Sequence, residues 1–329
     1  MVRFLTVSFL LCFASCTHFN SKQAKVKNNK IIIAHRGASG YLPEHTMEAK
    51  AMAYAMGAYY IEQDLALSKD DVPIVIHDIH LETVTNVTEK FPERKRADGK
   101  YYVIDFTFDE LKQLQVTERF NPETHKAVYP QRFPLHKSNF KLHSLQEEIE
   151  FIQGLNKSTG KNVGIYPEIK EPAFHLSEGK DISVIVLNIL NEYGYATKND
   201  NCILQCFDAH ELKRIREELK SKLYLVQLIE FKEDEEKLDE YVLYADGIGP
   251  WYKQIITGKN NQGNWQISNL VSEAHKRNLT VHAYTFRADQ LDGFTSFNEL
   301  IHVALFEANI DGIFTDFPDK AYQFLQQTN

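Results

Sequence analysis

Cysteine is scarce in this chain: four residues, at positions 12, 16, 202 and 206, provide no disulfide framework. Cys202 and Cys206 share one expected strand, where four residues at about 3.3 Å each separate their Cα atoms by roughly 13 Å, well beyond the roughly 7 Å a disulfide spans. Both therefore read as small apolar residues facing a helix layer. An excess of positive charge is also missing. Lys and Arg number 37 against 45 Asp and Glu, a net charge of −8, which argues against a nucleic-acid binder with a basic face. An anionic substrate would then need a local device, such as a metal ion or a few placed cations. Internal repeats and low-complexity tracts are absent, and no apolar stretch reaches bilayer length. What remains is an ordinary globular mixture of 43% hydrophobic, 12% aromatic and 25% charged residues, sufficient for a sizeable core.

The N-terminus reads as an address rather than as part of a fold. Arg3 gives a positive start, Phe4 to Phe13 is an apolar run of signal-peptide length, and Ala14-Ser15-Cys16 closes it with small residues. Small residues directly before a Cys resemble a bacterial lipobox, which implies a signal peptide over 1–15 and a lipid on Cys16. Phe13 departs from the aliphatic residue usual at that position, and an ordinary signal peptide cut near Ser15 is the alternative. Residues 16–29, polar and Lys/Asn-rich, read as a tether. The expected location is the periplasm of a bacterium, with membrane anchoring through Cys16.

From residue 30 the chain alternates. Ile31-Ile-Ile-Ala34 is a continuous apolar run suited to a buried parallel strand, and 44–57 follow with helical periodicity. Further strands are predicted near 59–66, 163–170, 202–207, 223–228, 244–248, 279–285 and 311–314. Helices are predicted near 144–156, 180–193, 208–219, 231–242, 265–277, 295–308 and 318–326. Eight such units are the pattern of an α/β TIM (β/α)8 barrel. The segment 79–140, irregular and aromatic-rich, interrupts the alternation after the second strand and reads as a small insertion domain over the barrel mouth. Without it, residues 30–329 come close to the usual barrel length of about 250 residues. Its basic cluster Arg94-Lys95-Arg96 reads as a solvated loop, with phosphate head-group binding as the alternative.

The polar residues at the strand ends carry the chemistry. His35-Arg36-Gly37 closes the first strand, pairing a proton-transfer group with a bidentate anion binder. In Glu62-Gln63-Asp64 the period of two points both carboxylates to one face, where a cation must offset their repulsion. The turn Ser68-Lys69-Asp70-Asp71 folds Val72–His77 back as a hairpin in which facing residues sum to about 140, so His77 returns to the carboxylates with Asp78 as its orienting partner. Glu168-Ile169-Lys170 adds a third carboxylate and a second cation on one face. Three oxygen donors suit Ca2+ or Mg2+, whereas zinc sites usually include His or Cys. Gln205, Phe207, Tyr284 and the run Thr315-Asp316 stand at later strand ends and are candidates to hold the rest of a substrate. Two histidines, two cations and three carboxylates at one mouth describe phosphodiester cleavage by acid–base catalysis.

These runs, in this order and spacing, resemble the signature of the glycerophosphodiester phosphodiesterases. Tyr41-Leu-Pro-Glu-His-Thr46, Gln205-Cys-Phe-Asp208, Tyr244-Ala-Asp-Gly-Ile-Gly-Pro250 and Gly312-Ile-Phe-Thr-Asp-Phe-Pro318 resemble the periplasmic bacterial branch. The resemblance covers 31–326 and implies a TIM barrel that hydrolyses small-molecule glycerophosphodiesters to sn-glycerol 3-phosphate and an alcohol such as choline or ethanolamine. It implies Glu62, Asp64 and Glu168 as ligands of a metal, usually Ca2+, with Mg2+ the alternative, and His35 and His77 as acid and base. In that family the free glycerol hydroxyl attacks phosphorus to give a cyclic phosphate that water opens. The segment 229–242 departs from the enteric members in being shorter, which bears on loop contacts and on whether the chain forms a homodimer. Competing readings are a phospholipase C/D-like enzyme acting on membrane lipids and a surface adhesin or immunoglobulin-binding lipoprotein. The charges of 79–140 favour the water-soluble diester, and a pure binder has no need of two histidines and three carboxylates converging at one mouth.

Overall fold

In the computed structural model, which describes residues 30–328, eight parallel strands close on themselves. They are β1 (Ile31–Ala34), β2 (Tyr60–Leu67), β3 (Gly164–Ile169), β4 (Ile203–Cys206), β5 (Tyr224–Ile229), β6 (Gly247–Pro250), β7 (Thr280–Phe286) and β8 (Gly312–Thr315). Each pairs with its neighbour in this order, and β1 bridges the ends by pairing Ile33 with both Phe314 and Tyr60. Closure removes the free edges that short apolar strands would otherwise expose. The principal helices are α1 (Met47–Ala55), α2 (Leu145–Thr159), α3 (Ile182–Glu192), α4 (Ala209–Glu217), α5 (Leu238–Tyr241), α6 (Leu270–Lys276), α7 (Phe297–His302) and α8 (Pro318–Gln327). The chain is thus a TIM barrel. No helix among the described residues is long and apolar enough to cross a membrane.

The strand period of two sorts side chains into two cores. Ile61 and Leu65 of β2 point outward into the large strand–helix core, which also contains Cys202 and Cys206 as free, buried thiols. Inward, Ile33, Tyr166, Ile203, Val226 and Phe314 fill the barrel, with the Tyr166 and Phe314 rings 4.9 Å apart. Glu62 and Asp64 share that inward face nearer the mouth and are 3% and 1% exposed. Helix starts are set by side chains that replace missing backbone acceptors. Thr46 accepts from the Ala49 N–H at 3.2 Å, and Ser144 forms a capping box with Glu147. At the β1–α1 turn Gly37 has φ +88°, and a Cβ there would stand 2.9 Å from the Ala49 carbonyl carbon, so glycine fits this close approach.

The hairpin forms in the expected register: strand Pro73–Val75 pairs antiparallel to β2 through Leu65↔Val75, Ala66↔Ile74 and Leu67↔Pro73. Some helices differ from expectation. In place of a helix over 265–277, Ile256–Lys259 and Trp265–Ile267 pair as a hairpin before α6. Trp265 stacks on Phe294 at 3.7 Å, a contact that outweighs the weak helical period. The expected helix over 231–242 begins as a 3-10 turn over Lys232–Lys237, where four successive acids crowd a tight turn before α5. The expected helix over 180–193 starts at Ile182, preceded by a separate short helix Pro172–Ser177.

Between the hairpin and α2 the chain builds a further core from Leu81, Val84, Val103, Phe106, Leu114 and Phe140, packed against Ala66 and Ile74. Arg94 donates to Glu110 at 2.8 Å, and Arg96 donates to Asp105 and Glu178. These two arginines of the basic cluster stay partly exposed but are already paired with carboxylates; they fasten this segment internally and to the barrel.

Candidate active site

The site lies at the C-terminal ends of the barrel strands, where loops are free to vary without disturbing the sheet. His35, Arg36, Glu62, Asp64, His77, Glu168, Gln205, Phe207 and Tyr284 all line one pocket of about 240 Å3. Lys170 borders an adjoining cavity that shares His77, Phe207 and Tyr284. Cys16 and the rest of the expected signal peptide and tether lie outside the described residues.

Glu62, Asp64 and Glu168 each bring a carboxylate oxygen within 4.8 Å of the other two. β2 and β3 cause this convergence: Asp64 and Glu168 are register partners, and Glu168 in turn pairs with Gln205 of β4. Burial, followed by the negative charges of Asp64 and Glu168, pushes the Glu62 carboxyl well up. Burial also raises Glu168 to about 8, against the pull of Lys170. Burial works against Asp64 ionisation as well, but His45 and Lys170 outweigh it and hold that carboxyl low. Buried Asp64 Oδ1 has no hydrogen-bond partner and neither does Gln205 Oε1, so oxygen atoms around the triad are left without protein donors. An oxygen-only donor set with an orphaned carboxylate oxygen fits a hard divalent cation. Oxygens around an ion at roughly 2.3–2.6 Å lie at most about 5 Å apart, and the triad meets that span.

Both histidines are held by aspartates. His35 Nδ1 lies 2.6 Å from Asp316 Oδ1, while Asp316 Oδ2 accepts from Arg132 at 2.7 Å and Arg287 at 2.8 Å. Burial opposes ionisation of Asp316, but Arg287, His35 and Arg132 hold its carboxyl well below the usual range. His77 Nδ1 lies 2.5 Å from Asp78 Oδ1, and Asp78 Oδ2 accepts from Arg119 at 2.6 Å. Since an ionised carboxylate only accepts, each Nδ1 carries its proton and each Nε2 keeps a lone pair. Lys170 Nζ supports this for His77, donating toward its Nε2 at 3.4 Å and to Glu168 at 2.7 Å. Burial lowers His35 to about 4, moderated by Asp316, and burial with Arg36 and Lys170 lowers His77 to about 3. Both imidazoles are therefore neutral near pH 7 before any anion enters.

Arg36 sits at φ 57°, a left-handed backbone that turns its N–H onto Glu62 Oε2 at 2.7 Å. Its guanidinium donates to Glu44 at 3.0 Å, and its buried Nε has no hydrogen-bond partner. Behind the carboxylates runs a polar chain that the sequence reading left without a role. His45 Nε2 lies 2.7 Å from Asp64 Oδ2, Lys50 Nζ donates to His45 Nδ1 at 3.2 Å, and Lys50 pairs with Glu148 at 3.2 Å. Burial opposes ionisation of Glu148, yet Lys50 and His143 bring it down to about 2. Also missed were Arg119 and Arg132, which come from the segment after the hairpin and reach the aspartate of one histidine each. The only local signal was the polar pair Glu44-His45 just before the start of α1.

The Glycerophosphoryl diester phosphodiesterase family model matches residues 35–320. The chain is 48% identical to a glycerophosphodiester phosphodiesterase of Haemophilus influenzae, with 95% of each chain covered. It is 39% identical to one of Treponema pallidum, covering 93% of this chain and 95% of that one. Among solved structures, an Oleispira antarctica phosphodiesterase in complex with its product sn-glycerol-3-phosphate has a TM-score of 0.63 at 20% identity, covering 90% of this chain and 96% of that one. At that identity the likeness speaks for the fold.

Proposed function

The chain belongs to the glycerophosphoryl diester phosphodiesterase family and is a phosphodiester hydrolase, and we propose that it splits glycerophosphodiesters such as glycerophosphocholine and glycerophosphoethanolamine with His35 and His77 as its proton-transfer pair. The observation that carries this reading is the pair of His–Asp contacts, His35–Asp316 and His77–Asp78, on one pocket with the carboxylate triad. Arg36 Nε, free of hydrogen bonds, and Lys170 are the groups to hold the phosphate anion. Glu62, Asp64 and Glu168 would hold a divalent cation, Ca2+ or alternatively Mg2+. When bound, that ion neutralises charge on the phosphate oxygens.

The residues then divide the work. One imidazole takes the proton of the free glycerol hydroxyl through its Nε2 lone pair as that oxygen bonds to phosphorus. The other, protonated once the diester anion offsets Arg36 and Lys170, gives its proton to the departing alkoxide as the phosphorus–alcohol bond breaks. The roles reverse when water opens the cyclic phosphate, leaving sn-glycerol 3-phosphate and both histidines as they began. A substrate whose leaving alcohol has a much lower pKa needs no protonation. It is expected to rescue only the variant lacking the acid, His35→Ala or His77→Ala. Equal rescue of both, or near-normal rates in both, would contradict the two-histidine assignment.

Arg3, the run Phe4–Phe13 and Ala14-Ser15-Cys16 support export to the periplasm and anchoring by lipid on Cys16. Cys16→Ala is expected to give a soluble, active enzyme; unchanged membrane fractionation would dismiss the lipid.

A further inference from the structure

Among the described residues, the exposed aromatic side chains are Phe207, Phe231 and Trp251, and all three stand at the barrel mouth. Phe207 and Trp251 line the catalytic pocket. Phe231 lines an adjoining cavity of about 650 Å3 that shares Phe207, Glu230 and Tyr284 with it. Exposing three large rings costs hydration free energy, and gathering them around one opening suggests that a ligand covers them. Glu230 stands among them, directly after β5. Its carboxylate is exposed and takes part in no hydrogen bond or ion pair among the described residues, although it faces Tyr284 closely enough to help burial raise that phenol. The Trp251 ring already receives an ammonium, with Lys253 Nζ 5.1 Å from its centre.

Charges of both signs line the opening. Arg36, Lys170 and Arg287 gather near the histidines. From the run after β5, Glu230 and Asp234 line the adjoining cavity, and Asp234 is paired with Lys237 at 3.0 Å. A ligand with an anionic phosphate and a cationic group matches those charges.

Resting on the phosphodiesterase reading above, we infer that the cavity edged by Phe207, Phe231, Trp251 and Glu230 seats the departing alcohol and selects alcohols that carry a quaternary ammonium. The rings meet the methylated cation through their faces, and Glu230 supplies the opposite charge. A primary ammonium, which is strongly hydrated, gains less from the rings, and a neutral polyol gains from neither feature.

The test compares kcat/KM for glycerophosphocholine with that for glycerophosphoglycerol in the same enzyme preparation. The ratio is independent of the fraction of enzyme that is correctly folded. The wild type is expected to favour the choline ester, and Glu230→Gln or Phe231→Ala is expected to lower the ratio by about threefold to tenfold. Glu230→Lys should lower it further, and added salt should weaken the Glu230 contribution. If all diesters are hydrolysed at similar rates and no variant shifts the ratio, the inference is wrong while the phosphodiesterase reading stands. If no diester is hydrolysed, both fall. If Phe231→Ala leaves the ratio unchanged but loses binding to phosphatidylcholine vesicles, the rings form a membrane contact and the inference is overturned.

Discussion

Replacing Asp316 by Asn tests how the histidine beside it is held. Asp316 accepts from His35 at 2.6 Å on one oxygen and from Arg132 and Arg287 at 2.7 and 2.8 Å on the other. An amide has only one acceptor oxygen, and two guanidiniums that cannot deprotonate will claim it. The amide NH2 then faces His35 Nδ1, which must become an acceptor, and the imidazole proton moves to Nε2. The lone pair facing the pocket is lost, and so is the negative charge that stabilises an imidazolium. Either change disables one proton transfer, so kcat with glycerophosphocholine is expected to fall by about 10²–10⁴, equivalent to roughly 3–5 kcal/mol of barrier. Binding should suffer less, because Arg36 and Lys170 are untouched. The stability loss should remain below the roughly 3–5 kcal/mol of a fully orphaned buried charge, because Arg132 keeps Asp289 at 2.8 Å. Steady-state kinetics across pH, alongside thermal unfolding, read both effects. Since Asp316 raises the His35 pKa, its loss should also move whichever limb of the profile reports His35 to lower pH. A folded Asp316→Asn enzyme with kcat within threefold of wild type would refute the argument.

Arg119→Lys removes a fork that holds Glu44 at 2.7 Å and Asp78 at 2.6 Å, so kcat should drop about tenfold with KM within about threefold; an unchanged kcat would show that the segment after the hairpin does not hold the His77 pair. Glu118, buried and near Glu44, is pushed up to about 8 from 4.5, so the folded protein holds a proton that the unfolded chain loses between those values. Its contribution to stability therefore falls as pH rises through that window, by at most about 1.4 kcal/mol per pH unit. The Tm gain from Glu118→Gln should grow from pH 5 to pH 8, and parallel Tm curves would contradict this. In chelator, Glu62→Gln should raise Tm by relieving repulsion in the triad, while abolishing any Tm increase that Ca2+ gives the wild type. A Ca2+-induced increase that survives the substitution would remove Glu62 from the ligand set.

Much of this fold is legible in the sequence because a parallel barrel strand must be apolar over its length, and runs such as Ile31–Ala34 have few other uses. The period of two then carries Glu62 and Asp64 to one face, and the four-residue turn at 68–71 fixes the hairpin register that returns the chain toward His77. Less legible is whatever depends on contacts distant in sequence. Trp265 reads as part of a helix until Phe294, far along the chain, offers it a stacking partner. Arg132 has no local feature that ties it to Asp316, 184 residues away, nor does Arg119 to Glu44. The polar network Lys50–Glu148–His143 is equally silent, because a lysine and a glutamate on two amphipathic helices look like surface residues until packing buries both.

The most direct test of the account follows release of sn-glycerol 3-phosphate from glycerophosphocholine by the wild-type enzyme, first stripped with chelator and then resupplied with Ca2+ or Mg2+, beside Asp64→Asn treated in the same way. The account predicts loss of release in chelator, recovery on adding back the ion, and little recovery in the variant. Full release by the metal-free wild type, or equal recovery in Asp64→Asn, would contradict it.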